Sequence, residues 1–219
     1  MADRPTPISA ARLAEQLGDE LPTVDTIPPE SFELVARVRE LVEAVVLTDV
    51  APAVRSAAAA EITAIAERLR AEQRERALYL VRHADGRIES LTQAGSGRLN
   101  PQAPPLEFVE FGDPGNLGEV VARCMLTAAH GGSPSRAHGS VVATLLDEVL
   151  GRAVTDAGAS GLTVSLTVSY RAATPYGIPL EIRGRLTGRE GRKSYAAGEV
   201  YADGVVTAVA EAVYVSERR

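Results

Sequence analysis

Tryptophan is absent from the 219-residue chain, and aromatic residues make up only 4% of it. Stacking platforms for nucleobases or sugar rings are therefore scarce, and the core must be aliphatic. A single cysteine, Cys124, excludes an internal disulfide framework, and three histidines without Cys or His partners at ligand spacing provide no structural zinc site, so no metal is expected. Basic charge is in deficit. With 23 Lys and Arg against 29 Asp and Glu, the formal net charge is −6, which argues against a nucleic-acid protein and requires any anionic ligand to meet a local basic patch. No segment reads as transmembrane, and the N-terminus lacks a basic flank followed by a long apolar run, so neither a signal peptide nor a membrane partner is expected and the cytoplasm is the expected compartment. With 45% hydrophobic residues and a mean hydropathy of −0.01, the composition is that of a globular chain, one domain plus an extension.

What is present centres on residues 136–151. Ala137, His138, Gly139 and Ser140 carry turn chemistry, and Val141, Val142, Ala143, Leu145, Leu146, Val149 and Leu150 follow in a run too long for an ordinary buried strand. The pattern predicts a buried helix from about Ser140, with Ser140 as its N-cap; either Gly151 closes it or residues 152–154 carry it on. Asp147 and Glu148 in its middle are costly in such a place without partners or a cleft, so one of them is expected to face a site.

Upstream, proline breaks the first thirty residues into a loosely attached arm, with two helical turns over residues 10–17. Phe32, Leu34, Val35, Val38, Leu41, Val42, Val45 and Val46 then recur at helical spacing, and residues 53–76 repeat the style with Ile62, Ile65 and Leu69, predicting an N-terminal hairpin of two amphipathic helices that covers a hydrophobic surface of the main domain. Residues 84–105 read as an irregular linker. The expected division is an arm and hairpin over residues 1–90 and a main domain over 91–219. Strands are predicted over residues 106–111, 119–127, 161–170, 179–187, 193–201 and 205–215, the last two joined by an Asp203-Gly204 turn. In residues 161–170, Leu162, Val164, Leu166, Val168 and Tyr170 alternate with Thr163, Ser165, Thr167 and Ser169, so one face is apolar and the other hydroxylated. One long helix covered by a curved antiparallel sheet, an α+β architecture, satisfies this order.

His138-Gly139 leading into a helix with Asp147-Glu148, followed by the Thr163-bearing strand that ends in Tyr170-Arg171, resembles the hotdog-fold acyl-CoA thioesterases, most closely the phenylacetyl-CoA thioesterase branch. Asn100-Pro101, Ala103-Pro104-Pro105, Thr174-Pro175, Gly191-Arg192-Lys193 and Asp203-Gly204 look like actinobacterial members of that branch, and the resemblance spans residues 99–215. It implies a hotdog fold with an N-terminal helical extension and hydrolysis of acyl-CoA to free acid and CoA. It also implies a homodimer or dimer of dimers, with no cofactor beyond the coenzyme A of the substrate. By resemblance the Gly139 N–H polarises the thioester carbonyl, Asp147 is general base or nucleophile, and Thr163 assists the acid and its water.

The chemistry can also be argued from the residues. The first turn of a buried helix offers unpaired N–H groups and a positive dipole end to a developing oxyanion. Gly139 and Asp147 are eight residues apart, roughly 12 Å along a helix, which separates them within one protomer, and the resemblance implies a site shared across a dimer. His138 is a catalytic candidate, a turn residue or a hydrogen-bonder at the helix end. Ser140 stands at the second Gly of the family's His-Gly-Gly turn. Glu148 points away from Asp147 and is a candidate for substrate contact, second shell or interface. Arg171, Arg192 and Lys193 are candidates for the phosphates of CoA or are solvated strand ends. Gly131-Gly132 stand where the family has a polar Asn or Glu that positions water. Either Ser133, Ser135 or His130 substitutes, or the protein binds acyl-CoA without turning it over. The aliphatic composition leans toward fatty acyl chains.

Overall fold

The computed structural model describes residues 10–110, 119–159 and 161–216. Four α-helices are present among them: α1 (Ala10–Leu17), α2 (Pro29–Leu47), α3 (Pro52–Arg70) and α4 (Gly139–Asp156). The strands are β1 (Leu80–Arg82), β2 (Ile88–Ser90), β3 (Glu107–Glu110), β4 (Val120–Met125), β5 (Gly131–Ser133), β6 (Arg136–Ala137), β7 (Leu162–Tyr170), β8 (Pro179–Glu190), β9 (Lys193–Ala202) and β10 (Val205–Val215). Phe111, the expected end of β3, and the first nine residues lie outside the described residues.

The six-stranded antiparallel sheet has the order β3-β4-β8-β9-β10-β7. α4 lies across it. Val142, Leu145, Leu146, Val149, Leu150, Ala153 and Val154 recur at helical spacing and are all buried, against the inward positions Ala122, Cys124, Ile182, Leu186, Val200, Ala210 and Tyr214 of the strands. This is the hotdog architecture expected from the order of elements. Gly151 does not end the helix, which runs to Asp156. At Asp203 (φ 48°) and Gly204 (φ 77°) both turn residues take the left-handed region that a two-residue hairpin with primed geometry requires.

Four expectations need correction. The N-terminal segment is not loose from Leu13 onward: Ala14 and Leu21 pack with Leu80, and Ile27 packs with Val81 and Leu91. The Arg82 guanidinium donates to the Gly18 carbonyl at 2.7 Å, anchoring the segment to β1. Residues 84–105 are not a plain linker, since they contain β2 and the fully buried Leu91; three-residue strands are too short to show a period. α2 and α3 are not a packed hairpin. α2 meets the body chiefly through its first half, where Phe32 packs on the Ile27, Val81 and Leu91 cluster and Val35 is buried; α3 buries nothing, and Leu41, Val45, Ile62, Ile65 and Leu69 are exposed, so the rest of both apolar stripes covers no surface of the main domain. The apolar face of β7 is likewise largely open: Leu162, Val164 and Tyr170 are exposed, because β7 is the edge strand and only Leu166 and Val168 reach the core.

Candidate functional site

Asp147 sits half-buried on α4, on the turn facing the start of β7. Thr163 donates its hydroxyl to Asp147 Oδ1 at 3.1 Å, which joins two of the residues singled out from the sequence. A charge-assisted bond of this kind fixes the carboxylate's orientation. Behind this pair stands Tyr214, paired with Thr163 in the β7–β10 ladder. Its phenol donates to the Asp147 carbonyl at 3.3 Å. Burial, followed by the negative charge of Asp147, holds the phenol above its ordinary pKa, so it stays a neutral donor. Nothing in the alternation of β10 distinguishes Tyr214 from a core aromatic, and sequence reasoning missed it.

The start of α4 forms a second cluster. The helix is capped by His138, not Ser140: His138 Nδ1 accepts from the Ser140 N–H at 3.1 Å and faces Ser140 Oγ at 2.6 Å. The cap lies two residues earlier than expected because the imidazole performs the capping usually done by Ser or Asp. Nδ1 accepts in this arrangement, so the capping tautomer carries its proton on Nε2. Gly139 is then the first helical residue, and an N–H in that position has no intrahelical partner. The Tyr170 hydroxyl donates to the Gly139 carbonyl at 2.8 Å, and a cavity of about 200 Å³ beside it is lined by Ser133, Arg136, Gly139, Val142, Tyr170 and Thr174. Tyr170 had been read only as the end of an alternating strand.

The loop before this turn has its own constraint. A Cβ on Gly132 would lie 2.8 Å from both His138 Cα and Cδ2, so a polar side chain there requires the backbone to shift. His130 Nδ1 accepts from the Thr127 N–H at 3.1 Å. Desolvation lowers its pKa and favours the neutral ring.

The remaining candidates separate. Glu148 points under residues 93–96 rather than toward Asp147, its Oε2 accepting from Gln93 Nε2 at 2.5 Å and Ser96 Oγ at 2.7 Å. Burial raises its pKa, only partly opposed by those two donors. Arg192 donates through Nε and Nη2 to the Ser216 carbonyl at 3.1 and 2.6 Å. Lys193 is exposed beside it and lies in ladder with Val215, which pairs with Leu162. This places Arg192 and Lys193 at the Asp147 end of β7. Arg171 is at the other end, in a concavity of about 390 Å³ on the sheet face away from α4, with Arg185, Glu199 and Glu211. From Thr163 to Tyr170 is seven strand residues, roughly 23 Å. Asp147, Thr163 and Tyr214 thus cluster at one end of β7, and His138, Gly139 and Tyr170 cluster at the other.

A helix start with a glycine N–H that has no intrahelical partner and a half-buried helical carboxylate held by a strand threonine stand on one hotdog frame. The Thioesterase superfamily sequence profile matches residues 135–214, the stretch that carries both clusters. A crystallised thioesterase superfamily protein is 30% identical over 89% of this chain and 97% of its own, with a TM-score of 0.74. The chain belongs to the thioesterase superfamily. A hypothetical thioesterase from Streptococcus pneumoniae TIGR4, crystallised with coenzyme A, is 22% identical, with 52% of this chain and 90% of that one covered and a TM-score of 0.47. The E. coli PaaI protein from the phenylacetic acid degradation operon is 13% identical, with 51% and 82% covered and the same TM-score of 0.47. No curated protein matches the sequence.

Proposed function

We propose that the protein hydrolyses acyl-CoA thioesters to free acid and CoA, with Asp147 as general base or nucleophile and the Gly139 N–H of a second protomer as the oxyanion donor. The observation that carries this reading is the Thr163–Asp147 hydrogen bond at 3.1 Å. A strand hydroxyl that fixes a half-buried carboxylate is the arrangement a base or nucleophile needs. In the base route Asp147 takes a proton from water as its oxygen adds to the carbonyl carbon. The carbonyl oxygen becomes negative against the Gly139 N–H and the helix dipole, and the C–S bond then breaks to release CoA as thiolate. In the nucleophile route Asp147 oxygen adds instead, CoA leaves, and water cleaves the resulting anhydride.

Two half-sites at opposite ends of β7, with Leu162, Val164 and Tyr170 exposed along it, support a homodimer that brings one protomer's Asp147 to its partner's Gly139. Arg192 and Lys193, at the Asp147 end, are the cations placed to meet the phosphates of CoA, and the acyl chain would run along aliphatic surface. A soluble cytoplasmic enzyme is in keeping with the described helices, none of which is long and apolar enough to cross a membrane.

Free-CoA release measured with a thiol reagent across acyl-CoAs of graded length and one aryl-CoA tests this. Asp147→Asn is expected to lose at least about a hundredfold in kcat, and Thr163→Val about tenfold, with the fold intact by circular dichroism. A second reading, acyl-CoA binding without turnover, draws on the packing of Gly132 against His138, which leaves no room for a water-positioning side chain. It prevails if wild type releases no CoA yet acyl-CoA raises its Tm.

A further inference from the structure

α2 and α3 make an excursion that leaves the body and returns to it. Its root is fixed: Val35 is buried, and Arg39 Nη2 donates to the carbonyls of Asn100 at 3.2 Å and Ala103 at 3.1 Å. Glu43 is still half-buried near His130, and beyond it the large apolar side chains of α2 and α3 are exposed. Between Leu34 and Leu69 eleven large aliphatic side chains are each more than a third exposed: Leu34, Leu41, Val42, Val45, Val46 and Leu47 on α2, Val50 between the helices, and Val54, Ile62, Ile65 and Leu69 on α3. Summed over both helices they expose roughly 800 Å² of apolar surface, on the order of what one partner buries in a standard interface. In proteins most helical stability comes from packing of an amphipathic face, and α3, a 19-residue helix, buries none of its residues against the chain.

The pattern on α3 says what partner fits it. Val54, Ala58, Ile62, Ile65 and Leu69 form one stripe with steps of four, four, three and four residues, the spacing of a helix-pairing seam. If two copies of α3 run antiparallel, Ile62 of one layers on Ile65 of the other, and Leu69 fits over Ala58. In the same register Glu61 flanks the seam opposite Arg68 of the other copy, and the two-fold axis repeats the ion pair. Parallel pairing sets Glu61 against Ala66 instead and forfeits both charge contacts. Neither Glu61 nor Arg68 has an ion-pair partner among the described residues.

We infer that the α2–α3 excursion is a self-association surface: the α3 helices of two copies pair antiparallel through Ile62, Ile65, Leu69 and Ala58, with reciprocal Glu61–Arg68 ion pairs. This contact is separate from the β7 edge, and the two together would build a dimer of dimers.

Light scattering on the full chain, with sedimentation at graded concentration, tests the inference. Ile62→Glu with Ile65→Glu is expected to halve the assembly mass while the strand signal in circular dichroism persists. Glu61→Arg alone is expected to weaken association by about three- to tenfold, and adding Arg68→Glu to restore it, since the reversed pairs are again complementary. An unchanged mass in the isoleucine double variant, or a charge-reversed double variant weaker than Glu61→Arg alone, overturns the antiparallel pairing. Activity is read separately, so failure of the hydrolase reading leaves this result standing.

Discussion

Two neighbouring carboxylates on one helix are put to different uses by 100° of rotation. Asp147 turns to β7, where Thr163 and Tyr214 hold it by side chain and backbone. Glu148 turns to residues 93–96, where a Cβ on Gly95 would overlap its carboxylate at 2.0 Å, so the absence of a side chain there is what admits it. Glu148 then ties the segment that leads out of β2 onto the central helix. Its raised pKa makes this tie pH-dependent, and the sign follows from which form the fold favours. Folding favours the neutral acid, so the contribution is fully present below the ordinary carboxylate value of 4.5 and is lost as pH rises through the higher folded-state value. Glu148→Gln keeps an acceptor for Gln93 and Ser96 and cannot ionise. Thermal melts from about pH 4 to pH 8 should show the variant's Tm gaining on wild type as pH rises above the ordinary carboxylate range, then levelling. A difference that is flat or falls with pH would sink the assignment of Glu148 as a buried acid.

The central helix and the sheet meet most closely where two strands present glycine to it. Gly184 and Gly198 are direct partners in the β8–β9 ladder. A Cβ on Gly198 would lie 2.4 Å from the Arg183 carbonyl oxygen and 2.9 Å from Leu150 Cδ2, and one on Gly184 would lie 2.9 Å from Val149 Cγ1. Backbone is the obstacle at Gly198, so the neighbour cannot simply rotate away. Gly198→Ala is expected to cost about 2–3 kcal/mol and to lower Tm by about 5–10 °C in a calorimetric scan; an unchanged Tm would show that the sheet yields. These glycines were not legible in the sequence, because their role depends on which strands lie side by side and where the helix crosses them. What was legible were elements with a period of their own. The run from Val141 to Leu150 marked α4, the alternation in residues 161–170 marked β7, and Asp203-Gly204 marked the last hairpin. β1 and β2 escaped notice at three residues each, and the sequence favours Ser140 over His138 as cap because the imidazole is not a standard capping group, although a hydrogen-bonding part for His138 at the helix end was legible. The Asp147–Thr163 pair was reached through the resemblance and not through spacing, since sixteen residues and a change of element separate the two.

For the molecule as a whole, amphipathic pattern told which surfaces seek cover and not what supplies it. α3 and β7 both display apolar stripes that one chain leaves open, and β7 runs between the two clusters. If a two-fold contact along β7 brings Asp147 of one protomer to Gly139 of its partner, the active site can be restored from two inactive chains. Asp147→Asn removes one half. Gly139→Pro removes the other: proline lacks the N–H, suits the first helical position, and tolerates the extended His138 before it (ψ 138°). Its Cβ would approach the far end of the Tyr170 side chain, 3.0 Å from the hydroxyl oxygen and 3.2 Å from Cζ, so that side chain must give by a few tenths of an ångström. Each variant alone should fall about 10²- to 10³-fold in kcat. In a mixed dimer the half-sites sort so that one site carries both substitutions and the other carries neither. Co-expressed, differently tagged chains should therefore recover about a quarter of wild-type activity in the unsorted mixture, and about half in purified heterodimers. A mixture no more active than its parents, with heterodimers demonstrably present, would place Asp147 and Gly139 in the service of different sites and overturn the shared-site reading.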